Sequence, residues 1–296
     1  MDKKSKTLKN LKKSYLPEGE GFSSVDLVYQ CLIDKDKFNA FSSVLKKYIS
    51  NSSKILDIGT GSGILALIAG KLGAKNVLAV EFDPTVSKIA NNNFKQNNLS
   101  HKIKIITGDA RILDLSKYKF DLIVMELLAT GLVDEMQVEV VNSLYDQGLI
   151  SSNTIVVPFA QENYLTLAYT DFNLYGFNMK MIKHLWSHDN NDNSFDLISD
   201  QILMNRIVFN TKNNTKFSKS FNFKIKKTGK INSIYLTSNV FVDGKGEFIL
   251  GSTHSLSPMV FIPIEDRNVK KGEIIKLKVS YLMGGGFNNF KINYIK

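Results

Sequence analysis

The chain has 296 residues, 43% of them apolar, with 38 lysines and arginines against 28 aspartates and glutamates, a formal charge of +10. That length and apolar content suffice for two packed domains, while the lack of any run of 18 apolar residues excludes a membrane-spanning helix. The single cysteine, Cys31, excludes an internal disulfide and a cysteine metal cluster, and with only four histidines no metal site is expected; a reducing, cytoplasmic setting is the expectation.

Residues 1–13 hold six lysines against Asp2. Residues 1–15 read as a disordered tail, and without an apolar stretch behind the lysines no secretory signal is expected. Residues 24–49 carry a helical apolar pattern through Val25, Leu27, Val28, Leu32, Phe38, Phe41, Val44, Leu45 and Tyr48. Strands are then expected at 54–58, 76–81, 102–107, 120–125 and 154–158, with helices at about 63–72, 85–97 and 132–146. This alternation predicts an α/β fold, a Rossmann-like, mostly parallel, doubly wound sheet.

The first strand runs into ILDIGTGSGIL at 55–65. Gly59, Gly61 and Gly63 allow a sharp bend and close approach of a ligand to the main chain. Asp57 and Thr60 belong to the same turn, at the carboxyl edge of the sheet where such folds place ligands. A dinucleotide fingerprint wants a small residue at position 64, and Ile64 stands there. A nucleoside-bearing cofactor other than NAD is therefore expected. The second strand ends in Glu81, beside Phe82, placed to accept hydrogen bonds from both ribose hydroxyls. The third leads to Asp109 and Ala110, where S-adenosylmethionine enzymes commonly hold the adenine amino group. Together these elements resemble a class I S-adenosylmethionine-dependent methyltransferase.

After the fourth strand comes MELLATGLVDEMQ at 125–137, with Glu126 at the sheet edge and Glu135 nine residues on. Gly131 between them lets the loop turn back. Methyl transfer from a sulfonium needs a nitrogen lone pair, and two carboxylates around a cation bind it and orient one nitrogen toward the methyl. Glu126 and Glu135 are the candidate catalytic pair. The same stretch lacks the N/D-P-P-Y/F motif of base and glutamine methyltransferases, which disfavours exocyclic-amine methylation of bases.

Beyond Pro158 the texture changes to YLTLAY, QILMNRIVF, FNFKIK, SIYLTSNVFV, MVFIPI, IIKLKVSYL and FNNFKINYI. Alternation and β-branched or aromatic enrichment predict an antiparallel β-sandwich or barrel. The expected division is a basic tail and helical segment at 1–50, a cofactor domain at 51–158 and a β domain at 159–296. Residues 211–230 hold seven lysines and no acid. With the tail, they exceed the whole net charge. They read as a tail and a solvated strand face in preference to a nucleic-acid site, because few aromatics or arginines interleave with the tail lysines.

From about residue 32 onward the chain resembles the protein arginine methyltransferase family. The resemblance rests on Glu126 and Glu135 at the spacing of that family's double-glutamate loop, on the glycine motif and Glu81, and on Pro158 at the entry to the β domain. NLYGFNMKMI (173–182) resembles the start of the family's dimerisation arm, and VFIPIEDRNVKKGEII (260–275) a late barrel strand pair. The resemblance implies S-adenosylmethionine as cofactor, a β-barrel and a head-to-tail homodimer. In the family's L-x-D-x-x-R-x-x-x-Y pattern, Leu32, Asp34, Lys37 and Phe41 stand here, so Lys37 is the candidate for the cofactor carboxylate. The family's two upstream, substrate-covering tyrosines are not matched, and Phe22 stands at the place of one of them. The Thr-His-Trp loop is replaced by STHSLSPMVF (252–261), where His254 reads as a loop histidine. These departures fall on the acceptor side. The expected acceptor is a cationic guanidino or amino nitrogen of a protein, peptide or small molecule. Two alternatives stay open: a ribosomal protein or RNA docked by the lysine-rich segment, and a non-catalytic binding module.

Overall fold

The computed structural model describes residues 25–151, 153–187 and 195–295. The lysine tail, Phe22 and most of the polar stretch 187–194 lie outside them.

The predicted helical segment is two helices, α1 (Val25–Leu32) and α2 (Lys35–Tyr48). The break falls at Asp34, whose side chain caps α2 by accepting from the Lys37 amide at 3.1 Å. Only α2 is packed inward, through Lys37, Ala40, Phe41, Val44 and Leu45 at helical spacing. On α1, Val25, Leu27 and Tyr29 stay exposed.

Five parallel strands follow: β1 (Lys54–Ile58), β2 (Asn76–Glu81), β3 (Ile103–Thr107), β4 (Leu122–Met125) and β5 (Ile155–Val157), ordered β3-β2-β1-β4-β5. Consecutive residues of β1, β2 and β4 are buried, as expected for a sheet covered on both faces. The connecting helices are α3 (Ile64–Lys71), α4 (Pro84–Gln96) and α5 (Gln137–Asp146). Asp83 starts α4 by accepting from the amides of Thr85 and Val86 at 2.6 and 3.1 Å, and Pro84 suits the first turn. Strand order reverses between β1 and β4, so the loops after these two strands open on one crevice.

The helix predicted from residue 132 begins at Gln137 instead. Gly131 and Leu132 have φ of +70° and +55°, left-handed values that end helical winding. Residues 126–136 therefore form a loop with a single 3₁₀ turn at Thr130–Leu132, and that loop carries both candidate acids.

From Ala160 the sheets are antiparallel. A seven-stranded sheet is built on the pairing of Ala160–Thr170 with Gly229–Phe241, and Met259–Val269 flanks the latter. A three-stranded sheet holds Lys216–Lys224, Ile274–Leu282 and Lys291–Tyr294. The segment 260–275 does not form the expected strand pair. Met259–Val269 joins the seven-stranded sheet and Ile274–Leu282 the three-stranded one. The reason is packing: Leu277 and Ile275 lie opposite Phe221 and Phe223, and all four are buried. A two-stranded hairpin, Asn173–Leu174 with Phe177–Asn178, projects with Leu174, Tyr175 and Phe177 exposed. One connected core runs from Phe41 through the parallel sheet to Leu165, Ile234 and Leu277. Full burial of each such side chain contributes about 1.5–3 kcal/mol.

Candidate active site

The crevice between the loops after β1 and β4 is a cavity of about 670 Å³. Lys37, Gly59, Thr60, Gly61, Glu81, Phe82, Asp109, Ala110, Glu126 and Glu135 all line it. Asp57 and Gly63 do not. Asp57 lies beneath the glycine loop, 1% exposed, and accepts from Thr60 Oγ1 at 2.6 Å and from the Ala66 amide. Burial pushes its carboxyl to about 7, with Glu81 adding to the rise and the two hydrogen bonds opposing it. Asp57 thus braces the loop from below. Gly63, at φ +85°, is required by packing: a Cβ there would sit 2.4 Å from a ring carbon of Phe94.

Glu81 accepts from the Gly61 amide at 2.9 Å on one oxygen and from the Asp83 amide at 3.0 Å on the other. Each oxygen keeps a second lone pair. Phe82 presents an exposed ring beside it. A carboxylate for vicinal hydroxyls, an exposed ring for a base and a glycine loop between them fit a nucleoside. Asp109 departs from expectation. Its carboxylate is already held by Arg111, through the backbone amide, Nε and Nη2, the last at 2.6 Å. Arg111 also reaches Glu139 at 3.3 Å.

The acid pair has unequal surroundings. Glu126 Oε2 pairs with Lys37 Nζ at 2.8 Å, with side-chain exposures of 19% and 9%. Burial pulls the Lys37 ammonium down, but the Glu126 charge, the hydrogen bond to it and the nearby Cys31 and Asp34 together hold the group above its ordinary value. Glu135 has no such cation in contact among the described residues. Burial, then the negative charges of Glu126 and Asp134, push its carboxyl up to about 8 against the pull of Lys37.

The loop bearing these acids is fastened from behind. Thr130 Oγ1 donates to the Pro258 carbonyl at 2.5 Å, and the Gly131 amide to Ser238 Oγ at 2.9 Å. Tyr281 Oη donates to the Gly131 carbonyl at 2.8 Å, and Gln161 Nε2 to the Ala129 carbonyl at 2.9 Å. Asn163 accepts from both Gln161 and Ser238 and donates to Asn205, which donates to Tyr281. These side chains form a connected, largely buried network, the kind that fixes one backbone conformation. A Cβ at Gly131 would lie 2.8 Å from Leu236, so the approach of loop to sheet requires glycine.

A second set of bonds covers the cavity. Asp34 accepts from Thr253 Oγ1 at 2.5 Å and from the Ser255 amide and hydroxyl at 2.8 Å each. It thereby ties the α1–α2 junction to the loop 252–257. Ser255 and Cys31 line the cavity there; burial pushes the Cys31 thiol up. His254 faces outward to Gln30, at 2.9 Å, in keeping with a loop histidine. Sequence reading missed Cys31 and Ser255 as lining residues because each sits away from the strand ends, and Arg111 because only its fold back onto Asp109 brings it to the wall. No group of three or more metal-binding side chains occurs among the described residues, and no helix among them is long and apolar enough to cross a membrane.

A family model described as ribosomal protein L11 methyltransferase (PrmA) matches residues 42–184. The uncharacterized protein MJ1452 of Methanocaldococcus jannaschii is 30% identical over 265 residues, 90% of this chain and 95% of that one. The ribosomal protein L11 methyltransferase of Alkaliphilus oremlandii is 35% identical over 113 residues, 38% of this chain and 35% of that one. This chain therefore spans about a third of that enzyme. The PRMT1 enzyme–prozyme heterotetrameric complex of Trypanosoma brucei, solved with AdoHcy, matches with a TM-score of 0.71 at 17% identity, over 88% of this chain and 89% of that one. At that identity the likeness is one of fold.

Proposed function

Because this chain belongs to one family with the Methanocaldococcus jannaschii protein MJ1452, and is a class I S-adenosylmethionine-dependent methyltransferase with the arginine methyltransferase fold, we propose that it methylates a cationic guanidino or amino nitrogen. The observation that carries this reading is that Glu126 and Glu135 line the same cavity as the glycine loop and Glu81.

S-adenosylmethionine supplies an electrophilic methyl group, displaced in line from sulfur to nitrogen. Gly59, Thr60, Gly61, Glu81 and Phe82 would hold its nucleoside, with Asp109 and Ala110 at the far wall. Glu126 and Glu135 bind the acceptor's charge and direct one nitrogen into the cavity. A unit-charge pair at 4 Å is worth about 4 kcal/mol at an effective dielectric near 20, enough to dominate recognition of a small cation. Glu135, with its carboxyl near 8, exchanges a proton close to neutral pH, as a group receiving the proton lost on methylation must.

Lys37 adds an order to these events. It neutralises Glu126 when no acceptor is present. It must leave before a cationic acceptor can pair there, and the cofactor's carboxylate is the alternative partner its position suggests. Cofactor first, acceptor second is the sequence this favours. The likeness of residues 42–184 to L11 methyltransferases supports a protein amino nitrogen as acceptor alongside a guanidino group. We assign the β half to shaping the acceptor side, the exposed hairpin 173–178 to a homodimer contact, and the reaction to the cytoplasm.

The test is a screen with radiolabelled S-adenosylmethionine against guanidino, amino and neutral compounds and peptides carrying them. Label on cationic nitrogen supports the proposal. Label confined to oxygen, carbon or neutral bases contradicts it.

A further inference from the structure

Five lysines of the β half sit beside an acid: Lys180 and Lys230 pair with Asp266, Lys212 with Asp146, Lys226 with Asp200 and Lys227 with Asp196. The outer face of the three-stranded sheet is different. Its inner face is apolar and buried through Phe221, Phe223, Leu277 and Val279. Strand alternation puts Lys216, Lys224, Lys276, Lys278 and Lys291 on the outside, all exposed. The three strands contain no Asp or Glu. None of the five lysines has an ion pair among the described residues. In register, Lys278 lies opposite Ser220 and Asn293, Lys276 opposite Asn222, and Lys291 opposite Ser280.

We propose that this face is a docking surface for double-stranded RNA. The proposal extends beyond the methyl-transfer reading and does not depend on it. Lys276 and Lys278 lie roughly 7 Å apart along the central strand, and Lys224 and Lys291 sit diagonal to them, each two positions away in register on a neighbouring strand, a cluster of ammonium groups with no acid on the strands that carry it. Uncompensated lysines gain binding energy by releasing the counter-ions of a phosphate backbone. The serines and asparagines between them both donate and accept, so they can serve phosphate oxygens and 2′-hydroxyls alike. A face three strands wide is too broad to enter the B-form major groove, which admits a helix or a two-stranded ribbon. It suits the wide, shallow minor groove of A-form RNA, where binding reads shape and 2′-hydroxyls. No arginine lies on the three strands, and their Phe217, Phe221, Phe223 and Tyr281 belong to the inner face. Base stacking of the single-strand kind is thus unsupported.

The face is joined to the candidate site. Tyr281, near the end of the central strand, bonds the Gly131 carbonyl, and the amides of Gly284 and Gly286 bond the carbonyls of Leu132 and Val133 at 3.0 and 2.9 Å. RNA held on the sheet would bring a protein bound to it beside the acid loop, although the chain's own positive charge repels a free basic acceptor.

The experiment is a fluorescence-anisotropy titration of the full chain with an RNA duplex of about 16 base pairs, the matching DNA duplex and a polyglutamate competitor, across a salt series. The proposal expects RNA binding that weakens steeply with salt. The double variant Lys276→Glu, Lys278→Glu should bind about tenfold or more weakly, with the logarithmic salt slope flattened by about 2, while its affinity for S-adenosylmethionine matches the parent chain. A second variant, with Lys3, Lys4, Lys6, Lys9, Lys12 and Lys13 changed to Gln, should still lose RNA binding when the face is altered. Three results overturn the proposal: no change in the face variant, equal affinity for DNA, or displacement of RNA by polyglutamate at equal charge.

Discussion

Burial and two neighbouring acids raise the Glu135 carboxyl from an ordinary 4.5 to about 8. The sign of the consequence is fixed. The folded protein binds this proton more tightly than the unfolded chain, so the stabilisation is complete below 4.5 and is lost as pH rises through 8. Denaturant midpoints measured from pH 4.5 to 8.5 should fall more steeply for the parent chain than for Glu135→Gln, which cannot ionise. Parallel curves would remove Glu135 as a titrating group. The second carboxylate forms over the same window, so kcat/KM for a cationic acceptor should rise with pH toward 8 and lose that limb in Glu135→Gln. Gly63→Ala is a purely structural counterpart. A left-handed alanine costs about 1–2 kcal/mol, and the contact with Phe94 adds to it, so thermal unfolding should shift down by several degrees. At this scale most of the residues that line the cavity were legible, but side-chain direction was not. Asp57 and Asp109 were correctly placed at strand ends, yet one turns under the loop and the other is claimed by Arg111 two residues later. Sequence spacing carries no record of which of two nearby partners an acid takes.

The acid loop is the element on which the site depends, and its shape comes from residues far away in the chain. Tyr281→Phe removes the bond to the Gly131 carbonyl and leaves Asn205 Nδ2 without its acceptor. A loss of about 1–3 kcal/mol in stability follows from an unmet buried group. The more specific outcome is a fall in kcat with the cofactor's Kd unchanged, since Tyr281 touches the loop and not the nucleoside side. If kcat holds and only stability falls, the loop keeps its shape without the tyrosine. The late start of α5 has the same origin. Residues 132–136 are compatible with helix by composition, and tertiary bonds to Ser238, Tyr281 and Gly284 override that preference. The split of 260–275 between two sheets was likewise hidden, because alternation reports a strand's two faces but not its neighbours.

At the scale of the whole molecule, the α/β half was legible because each strand is a largely apolar run ending in a turn with its own chemistry. The antiparallel half was legible as strands and illegible as sheets. Its hairpin leaves Leu174, Tyr175 and Phe177 at 58, 97 and 70% exposure, an apolar projection of the sort that marks an interface. The proposed homodimer contact predicts that Tyr175→Ser combined with Phe177→Ser lowers the sedimentation coefficient to that of a monomer; an unchanged coefficient would contradict that contact. The most direct measurement of all is single-turnover methyl transfer by Glu126→Gln, made beside calorimetric titration of S-adenosylmethionine. Two acids gathered around the reacting nitrogen predict a loss of transfer of about 100-fold or more, with cofactor affinity within about threefold of the parent chain. Transfer at the parental rate, or loss of cofactor binding in place of turnover, would contradict the role given to that carboxylate.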